Sequence, residues 1–311
     1  MPLHSSPNSS LKSLSKKLHW KKSEDMRNLT EVVVKFRTAQ SEASPQGLAT
    51  GIVPSQEHQD LGRSEVAIER KRKEPLKDIK ERYKLKQSII AQTKSASSDA
   101  AKQLASLPTV TILKQNWLNI TSKWLRKNEV TKVFIAAHTA PLAFAKESHF
   151  HVVALNAGVK HVVRISITIA NVHPNFPAYY PRTHWAIESM LATKEFKEMA
   201  WTSLQPNIFF SFVFQSAVAL VNEYRKIGKQ QPLSTIMSKD AAVGVIDPND
   251  IRAFAATLLA SDLELYNGKR YVLNGLKNIN SQILIDLDKK AIGATVEIMK
   301  YNDLSFLKQV A

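Results

Sequence analysis

Apolar residues are spaced differently in the two parts of this chain. From Ser88 onward, short β-branched runs alternate with stretches of helical spacing. Ser88 to Thr93 reads as a strand, Ala100 to Leu107 as a short amphipathic helix, and Thr109 to Leu113 as the next strand. Val130 to Ala137 (VTKVFIAA) follows, closed by turn chemistry at His138-Thr139-Ala140-Pro141. The central stretch runs from His151 to Phe210. There, a helix over His151 to Asn156 stops at Gly158, and an apolar run from Val159 to Ile165 breaks at Ser166. After a Pro- and Asn-rich loop, a second helix opens near Thr183, and Ala200 to Leu204 is a further strand. Phe209 to Tyr224 is an apolar helix, and Val243 to Ile246 leads into a helix over Ile251 to Ala260 that starts at Asp250. Tyr271-Val272-Leu273 is a last sheet strand, Asn280 caps a helix from Ser281 toward Ala291 that Gly293 ends, and Val296 to Met299 pairs in a small C-terminal lobe. Strands alternating with helices predict an α/β fold, a doubly wound parallel sheet with helices on both faces. Ligands in such sheets bind beyond the carboxyl ends of strands, which places Ser166 and Gln205-Pro206-Asn207 at candidate positions.

The first part has no such alternation. Residues 1–60 are rich in Ser, Pro, Gln and Lys with scattered apolar positions, and they read as a disordered basic arm. The opening MPLHSSPNSSLKSLSKKLHWKK has no acidic residue and spaces Leu11, Leu14 and Leu18 along one helical face. Two readings stand: a disordered tail, or a mitochondrial transit peptide, against which the missing arginine counts. Glu31-Val32-Val33-Val34 is an isolated strand-like run. From Glu65 to Lys86 the chain is highly charged and divided by Pro75, the pattern of two short polar helices.

Composition narrows the function classes. The absence of cysteine excludes disulfides, a thiolate nucleophile and Cys-ligated zinc. No apolar run approaches the ~20 residues that cross a bilayer. The chain carries a formal charge of +16, and residues 1–105 hold 20 Lys and Arg against 12 Asp and Glu. A solvated basic arm accounts for this surplus; attraction to nucleic acid or an anionic membrane is the other reading, and no recognised nucleic-acid fold accompanies the charge. His149-Phe150-His151 has a chelating spacing on a strand, but it falls in a predicted helix where positions two apart diverge, so no metal site is expected.

Several blocks, taken in order, carry a family resemblance. They are KQSIIAQTKSASSDAAKQLASLPTVTILKQNW, AGVKHVVRIS, a Tyr180-His184-Glu188 spacing, WTSLQPNIF, VGVIDPNDI and YNGKRYVLNG. Together they resemble the NmrA-like branch of the short-chain dehydrogenase/reductase superfamily over residues 85–311. The resemblance implies a Rossmann-like, NAD(P)-binding-type domain over 61–311, with a first β-α unit over 61–86. In that unit a Gly-rich turn would bring backbone amides to the pyrophosphate at a helix N-terminus. Only Gly62 stands there, and no GxGxxG or GxxGxxG occurs among the nine glycines. The first unit is therefore expected to be degenerate and the cofactor, NADP or NAD, to bind weakly or not at all.

The resemblance also assigns positions at the strand ends. Gly62, in the expected turn, and Thr93, at the end of its strand, are assigned to the cofactor, and Lys94 just beyond lies where the family faces a 2′-phosphate, although a solvent-facing lysine explains it equally. Asn116 stands where the family has an Asp near the adenine. Ala137 and His138 end a strand beneath the ribose and nicotinamide, and Pro206 shapes the loop over the nicotinamide. Ser166 matches the substrate-orienting serine and Tyr180 the proton-transferring tyrosine, whereas His184 replaces the lysine that acidifies the tyrosine and holds the ribose. A free phenol titrates near ~10, so this chemistry needs a cation beside it, and a neutral histidine supplies little of that field. Glu188 matches a structural helix position, and Asp247 with Asp250 reads as turn and cap chemistry.

These readings give one α/β domain behind a basic arm. The implied function is a regulator or redox sensor with a compromised cofactor site. A reductase using Tyr180 on a small carbonyl or quinone is the alternative, and a non-binding chain is a third. The resemblance implies a protein partner such as a transcriptional regulator, with no specific nucleic acid. The expected location is cytoplasmic or nuclear, with mitochondrial import as the alternative.

Overall fold

Residues 63–67, 88–137, 142–296 and 299–303 are described in the computed structural model, the first five only as a strand. The arm over 1–60, most of the charged segment up to residue 86, Gly62 and His138 lie outside them. The strands are β1 (Arg63–Ala67), β2 (Ile89–Thr93), β3 (Val110–Lys114), β4 (Lys132–Ile135), β5 (His161–Ile165) and β6 (Ala200–Pro206). They are followed by β7 (Ile208–Phe209), β8 (Leu233–Ser234), β9 (Val243–Ile246), β10 (Lys269–Asn274), β11 (Asn278–Ile279) and β12 (Met299–Lys300). The α-helices are α1 (Asp99–Ala105), α2 (Ser122–Lys127), α3 (Ala143–Ala157), α4 (Tyr179–Leu191), α5 (Phe210–Ile227), α6 (Pro248–Ala260) and α7 (Ser281–Ile292).

The main sheet has the order β1-β10-β6-β5-β4, with every pairing parallel. Its strands are apolar on both faces because helices cover both. Val133, Ile135, Val162 and Trp201 meet Phe150, Ala154, Ile187 and Leu191 of α3 and α4. On the other face Phe134, Val163, Leu204 and Leu273 meet Ile251, Ala255, Leu258 and Leu259 of α6. The doubly wound parallel architecture is thus present. Lys132, buried on β4, donates from Nζ to the carbonyls of Leu259 (2.7 Å) and Ser261 (3.1 Å), satisfying the end of α6 with a side chain from the sheet. A third apolar cluster, including Val213, Leu220, Leu233, Met237 and Leu284, fills the C-terminal lobe, where β12 pairs with β8. Gly275 joins lobe to sheet: its N–H donates to the Val245 carbonyl at 2.8 Å, and a Cβ there would collide with that same oxygen.

Several boundaries differ from the sequence expectations. Helix α4 opens at Tyr179 rather than near Thr183, because Pro181 falls in the first turn, where its missing N–H would have no intrahelical partner. The cap of α6 is Asp247, which accepts from Asn249 N–H, with Pro248 in the first turn; Asp250 lies inside the helix. Phe209 belongs to β7 and not to the helix that follows.

The first unit departs most. Glu65 to Ala67, expected in a polar helix, lie in β1, which runs parallel to β10 with Val66 opposite Leu273. Backbone pairing along the edge of β10 overrides the local helical preference. A dinucleotide-binding sheet has the order 3-2-1-4-5-6. Here β3 and β2 form a parallel pair of their own, β4, β5 and β6 are adjacent, and among the described residues no strand joins β2 to β4. Where the strand carrying the phosphate loop would stand in that order, the described residues supply none.

Candidate functional site: a buried charge network at the strand ends

A single arginine organises the face between the sheet and helices α3 and α4. Arg164 is fully buried on β5, where it makes four side-chain hydrogen bonds and one further ion-pair contact. Nε donates to Glu147 Oε1 of α3 at 2.6 Å, and Nη2 to Glu147 Oε2 at 3.3 Å. Nη1 donates to Ser203 Oγ of β6 at 3.2 Å and lies 3.5 Å from Glu188 Oε1 of α4. The remaining Nη2 proton faces His184 Nδ1 of α4 at 2.7 Å.

Glu188 is the second hub. Ser203 Oγ donates to it at 2.7 Å, Gln205 Nε2 donates to both its oxygens at 3.1 Å, and Arg270 Nε donates at 2.8 Å. Arg270 in turn lies over the Trp201 ring, 4.9 Å from its centroid. Burial favours protonation of Glu147, but Arg164 and His151 overcome it and hold that carboxyl well below its ordinary range. Burial likewise pushes Glu188 up, and Arg164, Ser203, Ser166 and Arg270 together bring it down. Burial works against the charge of Arg164 as well, and the two carboxylates outweigh it. The network therefore pairs two cations, Arg164 and Arg270, with two carboxylates.

The three residues expected to carry chemistry come together here. Tyr180 and His184 are one turn apart on α4, their rings 4.7 Å between centroids and edge to face. Ser166 follows β5, its N–H donating to the Leu204 carbonyl at 2.6 Å. Its hydroxyl is buried beside Glu188 without a well-formed hydrogen bond, close enough to help lower that carboxyl's pKa. The electrostatics oppose proton transfer. Burial pushes the Tyr180 phenol up to about 12, more than the Arg164 cation can offset. Burial, then Arg164, hold the His184 imidazole down at about 3, so it is neutral at pH 7. Glu188, read from the sequence as structural, is the centre of five polar contacts, counting the one with Arg164.

The positions assigned to a cofactor are dispersed. Thr93 Oγ1 is engaged by its own turn, accepting from Ser95 N–H at 3.1 Å. Lys94 is exposed just past β2. Asn116 spends its side-chain oxygen on Leu118 N–H at 3.1 Å, capping a short 3-10 turn. Ala137 packs against the apolar cluster, and Pro206 is buried as the last residue of β6. Every positive-φ glycine among the described residues closes a helix (Gly158, Gly228, Gly293) or turns into β10 (Gly268). None of them follows a parallel strand, and the segment around Gly62, where the resemblance places the phosphate-binding turn, lies outside the described residues. His149 is exposed and His151 buried on Glu147, so the pair diverges on α3.

The fold has counterparts among solved structures. An NADPH-dependent quinone oxidoreductase from Escherichia coli, solved with NADPH, is 19% identical with a TM-score of 0.54, over 71% of this chain and 73% of that one. The NmrA negative transcriptional regulator is 16% identical with a TM-score of 0.52, over 68% of this chain and 65% of that one. This chain has an NmrA-like Rossmann fold. A triphenylmethane reductase from Citrobacter sp., solved with NADP(H), shares it at 17% identity and a TM-score of 0.54, over 71% of this chain and 72% of that one. No protein-family model and no curated protein matches the sequence. Among the described residues of this NmrA-like fold, no helix is long and apolar enough to cross a membrane.

Sequence reasoning located Ser166, Tyr180 and His184 but passed over Arg164, Glu147, Ser203 and Arg270. A signal was available. Arginine inside the apolar run VVRIS, on a strand covered on both faces, has to find buried acceptors. The identity of its partners depends on how α3 and α4 lie across the sheet, which the linear pattern does not contain.

Proposed function

We propose that this chain is a regulatory protein of NmrA-like fold that has left reductase chemistry, acting through a protein partner of transcriptional-regulator type in the cytoplasm or nucleus. The observation that carries this reading is the tie between Arg164 and His184, 2.7 Å apart. It occupies the place of the acidifying cation with a neutral imidazole, beside a phenol pushed up to about 12. Dispersed cofactor positions support the same reading, because a regulator needs no nicotinamide held in attack geometry.

Two outcomes are expected from purified protein. NADPH should bind with a dissociation constant above ~100 μM by calorimetry, because the sequence has no GxGxxG or GxxGxxG turn to bring backbone amides to its pyrophosphate. No steady NADPH oxidation should appear with quinones or simple aldehydes, and Tyr180→Phe should change nothing. Steady oxidation by the wild type that Tyr180→Phe abolishes would identify a reductase instead. His184→Lys should also fail to create turnover. It sets an ammonium against the Arg164 guanidinium in a buried site, and should lower stability by about 1–3 kcal/mol in urea unfolding.

A further inference from the structure

Helix α7 forms one wall of the C-terminal lobe. Ser281, Leu284 and Asp288 are buried and mark its inner face, three and then four residues apart. Leu284 belongs to the apolar cluster of the lobe, and Ile285 and Ile292 pack against that cluster. The outer face is also apolar in part. Ile283 is 40% exposed, and Leu287, one turn further on, is 47% exposed. Two such side chains stacked on one helix face make a stripe that the core does not use. The stripe is far smaller than the ~800 Å² per partner of a stable protein–protein interface, and its size suits one short apolar segment.

The chain brings such a segment to this helix. Its last described residues run beside β8 and the turn after it. Thr235 N–H donates to the Lys300 carbonyl at 2.9 Å, Asn302 N–H to the Met237 carbonyl at 3.0 Å, and Asp303 N–H to the Thr235 carbonyl at 2.9 Å. Asn302 has a φ of 51°, and this left-handed residue turns the chain back onto Thr235. Next along from Met237, the Ser238 carbonyl accepts from Ser281 Oγ at 2.9 Å, and Ser281 is the first residue of α7. Asp303 is therefore held within a few residues of the contact that seats the N-terminal end of α7. The residues after it, Leu304 to Ala311, lie outside the described residues; they read LSFLKQVA and carry Leu304, Phe306, Leu307 and Val310. Such a segment reaches about 26 Å when extended and about 12 Å as a helix. Ile283 and Leu287 lie only roughly 3 Å and 9 Å along the helix axis from Ser281, so either form reaches both.

We propose that the outer face of α7, at Ile283 and Leu287, is the docking site for the chain's own residues Leu304 to Ala311, with Phe306 as the largest anchor. Docking takes apolar surface out of water on both sides. The tether between Asp303 and the site is short, so closing it costs little chain entropy.

Hydrogen exchange of the full-length protein at pH 7, read by mass spectrometry over α7, tests this independently of NADPH binding or turnover. Phe306→Gln should speed exchange of the α7 amides about fivefold, the effect of uncovering part of one large apolar side chain. Leu287→Gln should do the same, and it should fold, because Leu287 is half exposed. The double variant should exchange no faster than either single one, since both remove one contact. Phe306→Leu, which keeps an apolar anchor, should stay near the wild type. Exchange over α7 that ignores Phe306→Gln, or effects that add in the double variant, would overturn the proposal. So would α7 protection that rises with protein concentration alongside a dimer in sedimentation, which would assign the stripe to a second copy.

Discussion

Arg164→Met should destabilise the fold by about 3–5 kcal/mol, the range for removing one partner of a buried ion pair. The loss falls mainly on Glu147, which is 1% exposed and would keep only the 3.3 Å contact from His151. Glu188 suffers less, since Ser203, Gln205 and Arg270 remain bonded to it. The double variant Arg164→Met, Glu147→Met should recover much of the single-variant loss, because a charge pair is exchanged for apolar side chains of similar length. A cycle of the two single variants and the double should give a coupling of about 2–3 kcal/mol in urea unfolding. Additive losses would mean that the pair is not energetically coupled, and that packing alone holds α3 to the sheet.

Acid should unfold this protein early. His161 is held down at about 4 by burial and Lys132, His184 at about 3, and His151 is lowered by burial. His161 and His184 stay neutral in the native state while their unfolded counterparts protonate near ~6.5, and His151 is shifted the same way. Native stability from these groups is complete above that value and is lost as pH falls toward the native pKa values, at ~1.4 kcal/mol per pH unit per histidine. Asp288 acts in reverse. Burial raises its carboxyl to about 6, so the native state takes up that proton first and gains stability as pH falls below 6 toward the unfolded value near ~3.9. His161 and His184 against Asp288 give a net uptake near one proton on unfolding around pH 5, and His151 adds to it in the same direction. Urea titrations between pH 7.5 and pH 4.5 should show stability falling by several kcal/mol over that interval. A flat profile would mean that the buried histidines are already charged in the native protein. His161→Gln, which can keep a hydrogen bond to Thr202, should flatten the slope by about one proton.

The sequence determined on its own the elements whose cause is local. Strands β5 and β6 come from β-branched and apolar runs long enough to be covered on both faces. The ends of α3 and α7 come from Gly158 and Gly293, which adopt the left-handed conformation that other residues resist. Together with the ordered blocks, these made the NmrA-like resemblance and the meeting of Ser166, Tyr180 and His184 legible. The chemistry of that site was decided only by the tertiary structure. Arg164, Glu147, Glu188 and Arg270 lie on four different elements, and no spacing along the chain links them. Packing of α3 and α4 across the sheet removed water from all of them at once, which made their pairing obligatory and fixed both the phenol and the imidazole in their neutral forms. The placement of β1 against β10 was equally out of reach, since edge pairing depends on which strand edge is open and not on the five residues Arg63 to Ala67 themselves.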